Sequence, residues 1–107
     1  MSILKLNYKD NDSMIEARRG DLIIVSLHET PTTGYKWVVD NIDLKILEFQ
    51  EVEFHLDRKA GIGGGGIRKF MFQAIRAGSV NLSLKLRREW KGDASIIERY
   101  RVSIKVL

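Results

Sequence analysis

From Val80 to Arg87 the chain alternates without a break. Val80, Leu82, Leu84 and Leu86 are apolar, and Asn81, Ser83, Lys85 and Arg87 are polar. A period of two puts every apolar side chain on one face of an extended segment, which predicts a strand lying on a core. Tyr100, Val102, Ile104 and Val106 alternate in the same way with Arg101, Ser103 and Lys105. Phe70, Phe72 and Ala74 alternate with Lys69, Met71 and Gln73. No segment sustains a helical stripe, so the pattern predicts an all-β protein.

The first half is less regular but compatible. Short strands are predicted over 4–8 and 14–17, parted by a turn at Asn11-Asp12, and over 21–28 after the Arg19-Gly20 turn. Residues 35–39 and 47–56 read as further strands, although 44–53 also passes locally for a helix. Seven or eight short strands separated by turn signals predict an immunoglobulin-like β-sandwich, with 1–107 as a single domain. If the strands from 21–28 onward reverse direction one after another, the connections 28–34, 57–66 and 88–95 emerge at one end. These are also the three segments of unusual composition, which suits a binding surface on a rigid frame.

Composition narrows the chemistry. With 107 residues and no cysteine, the chain must hold by packing alone. Disulfides, thiolate metal sites and a catalytic cysteine of its own are excluded. Neither a membrane-spanning run nor a signal peptide is visible, so the expectation is a cytoplasmic protein unless a leader has been removed. The net charge of +4 favours acidic partners, but no long Lys/Arg tract concentrates it, and nucleic acid is not the expected partner. Arg19-Gly20-Asp21 reads as a plain turn, and Asn11-Asp12-Ser13 and Asn81-Leu82-Ser83 as accidental sequons. His28 and His55 are lone histidines with no arrangement suited to catalysis or a metal. No cofactor or metal is expected, and the chain does not read as an enzyme.

The three unusual segments carry the remaining signal. In Thr30-Pro31-Thr32-Thr33-Gly34-Tyr35-Lys36-Trp37, the only proline fixes its own φ and pushes Thr30 toward an extended conformation. Gly34 permits a positive φ where the chain re-enters a strand. This is either a stiff projecting loop or an ordinary turn whose Tyr35 and Trp37 pack inward. The run Gly61-Ile62-Gly63-Gly64-Gly65-Gly66 contains GxGxxG, but a strand follows it and the lysine of a phosphate loop is missing. It is a floppy hairpin connection, or a backbone that lies flat against a partner. In Arg87-Arg88-Glu89-Trp90-Lys91-Gly92-Asp93, Trp90 is an interface anchor or a lid over one end of the core.

In this order TPTTGYKW, GIGGGGIRKF and RREW resemble the chagasin-like family of cysteine protease inhibitors, over nearly the whole chain. The resemblance implies an immunoglobulin-like sandwich that blocks papain-like proteases reversibly and competitively, the protein itself being monomeric. By position, Thr30, Pro31, Thr32, Thr33, Gly34 and Tyr35 match the loop that enters the protease cleft, with Thr32 near the target's catalytic cysteine. Gly61, Gly63 and Gly64 match a flanking glycine loop, and Arg88 and Trp90 the arginine and aromatic of a third loop. Thr30 stands where the family usually has asparagine, and Glu89 replaces a proline, which puts affinity and choice of protease in question. The alternative is a sandwich module for carbohydrate or single-stranded nucleic acid, with Trp37, Trp90, Arg87 and Arg88 as a stacking platform.

Overall fold

The computed structural model describes residues 1–57 and 65–107. Its strands are β1 (Ile3–Leu6), β2 (Met14–Ala17), β3 (Leu22–Glu29), β4 (Tyr35–Asn41), β5 (Leu47–Leu56), β6 (Gly66–Ala74), β7 (Gly78–Arg88) and β8 (Glu98–Val106). They form two four-stranded sheets, ordered β1-β3-β6-β5 and β2-β8-β7-β4. The immunoglobulin-like sandwich expected from the alternation is therefore present. The two N-terminal strands add parallel edges, β1 to β3 and β2 to β8, and the remaining pairs are antiparallel.

The alternation places the core. Ile23, Val25 and Leu27 of β3 and Phe70, Phe72 and Ala74 of β6 face Val80, Leu82 and Leu84 of β7 and Tyr100, Val102 and Ile104 of β8. Each large apolar side chain buried here stabilises the fold by about 1.5–3 kcal/mol, the dominant favourable contribution in a chain without disulfides. At the end opposite the unusual loops, Asp21 is buried and accepts the backbone N–H groups of Ser2 and Arg18, both at 2.9 Å. Those bonds, the one from Arg18 first, hold its carboxyl below the usual carboxylate range.

One expectation is corrected and one ambiguity is resolved, in favour of the strand expected over 47–56. β1 stops at Leu6 because Asn7 and Asp10 form a reciprocal capping box that turns Tyr8–Asp10 into a 3-10 turn. Residues 44–53 hold no helix. Leu47 to Leu56 pair along β6 as a strand, with a bulge between Phe49 and Glu51. The bulge inserts one residue into the period-two pattern, which is what gave the segment its helix-like spacing.

Register fixes where the connections emerge. Glu29 and Leu56, the last residues of β3 and β5, both lie opposite Gly66, the first of β6. Tyr35, the first of β4, lies opposite Arg88, the last of β7. The segments following β3, β5 and β7 (loops 1, 2 and 3) thus leave one end of the sandwich together.

Candidate functional site at the loop end

Loop 1 is built by its own residues. Thr30 is extended (φ −114°, ψ 98°), as a residue before proline should be, and Pro31–Thr33 form one 3-10 turn. Gly34 closes it in the left-handed region at φ 81° and donates its N–H to the Pro31 carbonyl at 2.9 Å. The Thr33 hydroxyl donates to the Thr30 carbonyl at 2.7 Å and accepts from the Tyr35 N–H at 3.3 Å. Thr30 makes no capping bond with its own side chain, so Thr33 ties the turn instead. Pro31, Thr32 and Thr33 are exposed at the tip.

The foot of the loop is rigid. Glu29 falls on the core-facing parity of β3, after Ile23, Val25 and Leu27, and is only 2% exposed. A buried carboxylate needs partners, and it has them. Arg68 of β6 reaches Glu29 Oε2 with Nη2 at 2.5 Å and Nε at 3.1 Å, and the Trp37 N–H donates to Oε1 at 2.7 Å. The Trp37 indole N–H donates to the His28 carbonyl at 2.9 Å. Sequence reasoning missed Glu29 and Arg68, although an acid at a core position of an alternating strand was a visible signal.

Trp37 is 3% exposed and belongs to the core, so the stacking platform expected from Trp37, Trp90, Arg87 and Arg88 does not exist as such. Trp90 behaves oppositely. It is 69% exposed and covers loop 1 rather than the core, its ring lying directly on Gly34. Arg88 joins the two loops. Its guanidinium sits 4.5 Å from the Tyr35 ring centre and 6.0 Å from that of Trp90, and Nε donates to the Thr33 carbonyl at 3.3 Å. Thr33, Gly34, Tyr35, Arg88 and Trp90 are thus brought into one cluster. A cleft of about 480 Å³ opens beside it, lined among others by Thr30, Tyr35, Arg88 and Ile97.

Gly61, Gly63 and Gly64 lie outside the described residues. The described end of loop 2 lies against the end of β3 that leads into loop 1. Asp57 donates its N–H to the Gly65 carbonyl at 3.0 Å. A Cβ on Gly65 would stand 2.6 Å from His28 Cε1 and 2.9 Å from the Glu29 carbonyl oxygen, so only glycine fits between them. The imidazole of His55 is 2.9 Å from Glu53.

Loop 3 is an irregular 3-10 segment, Glu89–Ser95, broken at Gly92 (φ 59°, ψ −151°). The Ser95 hydroxyl closes it, accepting from the Arg88 N–H at 2.9 Å and lying 2.7 Å from the Gly92 carbonyl.

The family pattern of the chagasin family peptidase inhibitor I42 matches residues 16–104. Amoebiasin-1 of Entamoeba histolytica is 32% identical over 94 residues, covering 86% of this chain and 89% of that protein. Chagasin of Trypanosoma cruzi is 26% identical over 106 residues, covering 94% and 96%. The crystal structure of the cysteine protease inhibitor EhICP2 from Entamoeba histolytica superposes with a TM-score of 0.90 over 100% of this chain and 97% of that one. At 19% identity that likeness speaks for the fold. A family pattern spanning both sheets and loops 1 to 3, carried on the same sandwich, makes this chain a member of the chagasin family of peptidase inhibitors.

Proposed function

We propose that this chain is a single inhibitor domain that blocks papain-like cysteine proteases reversibly and competitively with loops 1, 2 and 3. The observation that carries the reading is the bridging of loops 1 and 3 by Arg88, through the Tyr35 ring, the Trp90 ring and the Thr33 carbonyl. It turns two separate loops into one preformed edge, which lowers the ordering cost of binding.

Loop 1 enters the cleft, with Thr32 at its tip beside the catalytic cysteine of the target. Substrates meet a protease as extended chain, whereas Pro31–Thr33 are wound into a 3-10 turn closed by the left-handed Gly34. A wound tip fills the cleft without offering an extended bond for attack, so occupancy leads to release rather than cleavage. The chain has no thiol, and a disulfide with the target's cysteine is impossible. Trp90, with Arg88 and Tyr35 behind it, packs against one wall of the cleft. Gly61, Gly63 and Gly64 are assigned the other wall from sequence resemblance. Together the loops suit an interface of about 800 Å² per partner.

The test is titration of papain with the purified protein against a fluorogenic peptide. Dose-dependent inhibition that weakens as substrate rises is expected, with Thr32→Arg and Trp90→Ala each raising Ki at least tenfold. Unchanged Ki in both variants would overturn the loop assignment.

A further inference from the structure

Loop 3 has no proline, no regular helix and an exposed tryptophan at its tip. Gly92 adds a conformation (φ 59°, ψ −151°) in a region essentially restricted to glycine. Such a segment, left to itself, samples many shapes. The Ser95 hydroxyl ties the loop near its ends and Arg88 lies beside the Trp90 ring, so a restraint between them, at Asp93, bears on whether Trp90 stays over Gly34.

The outer face of the β2-β8-β7-β4 sheet supplies the restraint. Lys85 points away from the core yet is only 9% exposed, because acidic groups from two elements close over it. Its Nζ lies 2.8 Å from Asp93 Oδ1 in loop 3 and 3.0 Å from Asp40 Oδ1 on β4. Arg87, two residues along the same strand, places Nη1 3.1 Å from the same Asp93 oxygen. Arg99 of β8 approaches the other Asp40 oxygen at 3.3 Å. Asp93, 64% exposed, is the member of this cluster that belongs to loop 3.

We propose that the Lys85–Asp93–Arg87 cluster is a positioning clamp for the inhibitory surface, fixing loop 3 on β7 so that Trp90 stays seated on loop 1. Asp93 is the group that acts. Its ion pairs are to β7 rather than to loop 1, and its effect on the protease runs through Trp90. Lys85 receives a second acid, Asp40, which locks its ammonium in place on the sheet before the loop is considered. Both partners respond consistently. The bond from Lys85 is the main cause holding the Asp93 carboxyl below the usual carboxylate range, and the bond to Asp93 is the main cause raising the Lys85 ammonium. The clamp therefore stays charged in mildly acidic solution. It also does for loop 3 what the proline usual in the family would do in place of Glu89, by an ion pair from outside the loop instead of a ring within it.

This inference rests on the loop reading proposed above, and the experiment separates the two. Asp93→Asn is made in the native chain and in a Trp90→Ala chain, and Ki against papain is measured for all four proteins. The expected result is a rise of about 5- to 20-fold in the native background and less than about twofold in the Trp90→Ala background, the coupling typical of two groups acting as one unit. Equal effects in both backgrounds would overturn the clamp, as would no effect in either. If Trp90→Ala by itself leaves Ki unchanged, the clamp has no anchor to position and is overturned, and if Thr32→Arg leaves it unchanged as well, the loop reading fails with it. A second arm needs no protease. Trp37 is buried, so acrylamide quenching of the free protein reports mainly on Trp90. Asp93→Asn should change that quenching while the melting temperature moves by only a few degrees, and unaltered quenching would count against the clamp.

Discussion

Gly34→Ala is the most informative single change, because it adds one carbon at the point where loops 1 and 3 meet. Two effects follow from the geometry. At φ 81° the backbone is left-handed, which costs an L-residue about 1–2 kcal/mol. A Cβ there would also stand 3.2 Å from Trp90 Cζ3 and 3.3 Å from Cζ2, and nearer still to Cη2. Carbon atoms pack comfortably at about 3.5–4.0 Å, so the ring must retreat by roughly 1 Å. Trp90 is 69% exposed and can swing outward, so the second effect costs little stability. It displaces the anchor instead. Anchoring aromatics carry about 2 kcal/mol or more of binding energy, and at 1.4 kcal/mol per factor of ten their misplacement raises Ki about 10- to 100-fold. Urea unfolding should therefore show a loss of about 1–2 kcal/mol, while the papain assay shows the larger change in inhibition. The reasoning is refuted if Gly34→Ala inhibits within twofold of the native protein. It is also refuted if Ki rises only in proportion to the fraction unfolded, since then the loop contact contributes nothing.

Two further changes test the frame. Glu29→Ala leaves Arg68 uncompensated beside a buried site and removes the acceptor of the Trp37 N–H, so unfolding in urea should show a loss of about 3–5 kcal/mol. Tyr100→Phe removes a bond of 3.0 Å to the Asn7 carbonyl and should cost about 1 kcal/mol at neutral pH. Burial, helped by the charge of Asp10, pushes the Tyr100 phenol up to about 12 from an ordinary 10. A group raised in the folded state contributes fully below its unfolded value. The native chain should therefore lose stability as pH rises from 10 toward 12, and the Tyr100→Phe curve should be flatter over that window in pH-jump unfolding.

Strict alternation made the fold legible, because in β7 and β8 every core residue was named by parity alone. The rule was least decisive around the bulge between Phe49 and Glu51, where the strand 47–56 was read correctly although 44–53 also passed locally for a helix, since a bulge leaves no mark in a single sequence beyond a disturbed period. Loop positions were legible for a related reason: proline and glycine declare their backbone demands, and Thr30, Pro31 and Gly34 adopt what those demands require. The long side chains were not. Trp37 and Trp90 are the same residue in similar company, one sealed in the core and one on the surface, and only the third dimension separates them.

The contacts that hold the loops share one feature that sequence reading could not reach. Glu29 with Arg68, Arg88 with Thr33, and Lys85 with Asp93 join residues far apart along the chain or across a turn, the first tying the end of β3 to β6 and the other two tying β7 to loops 1 and 3. Glu29, Lys85 and Asp93 lie outside the motifs that mark the family resemblance, whereas Thr33, Arg68 and Arg88 lie within them. Pro31, Thr32, Thr33 and Trp90 are the exposed tips, free to meet a partner, and the charged pairs lie at their feet. Tip residues tolerate exchange so long as the backbone they need is preserved, as Thr30 shows by standing without a capping bond of its own while the Thr33 hydroxyl ties the turn. Of the feet, Glu29 and Arg68 tolerate it least, because their side chains are 1% and 16% exposed and removing either leaves the other charge uncompensated. Substitutions at Thr30, Thr32 and Glu89 should therefore change which protease is inhibited and how tightly. Substitutions at Glu29 should change whether loop 1 is held at all, and those at Lys85 or Asp93 whether loop 3 is.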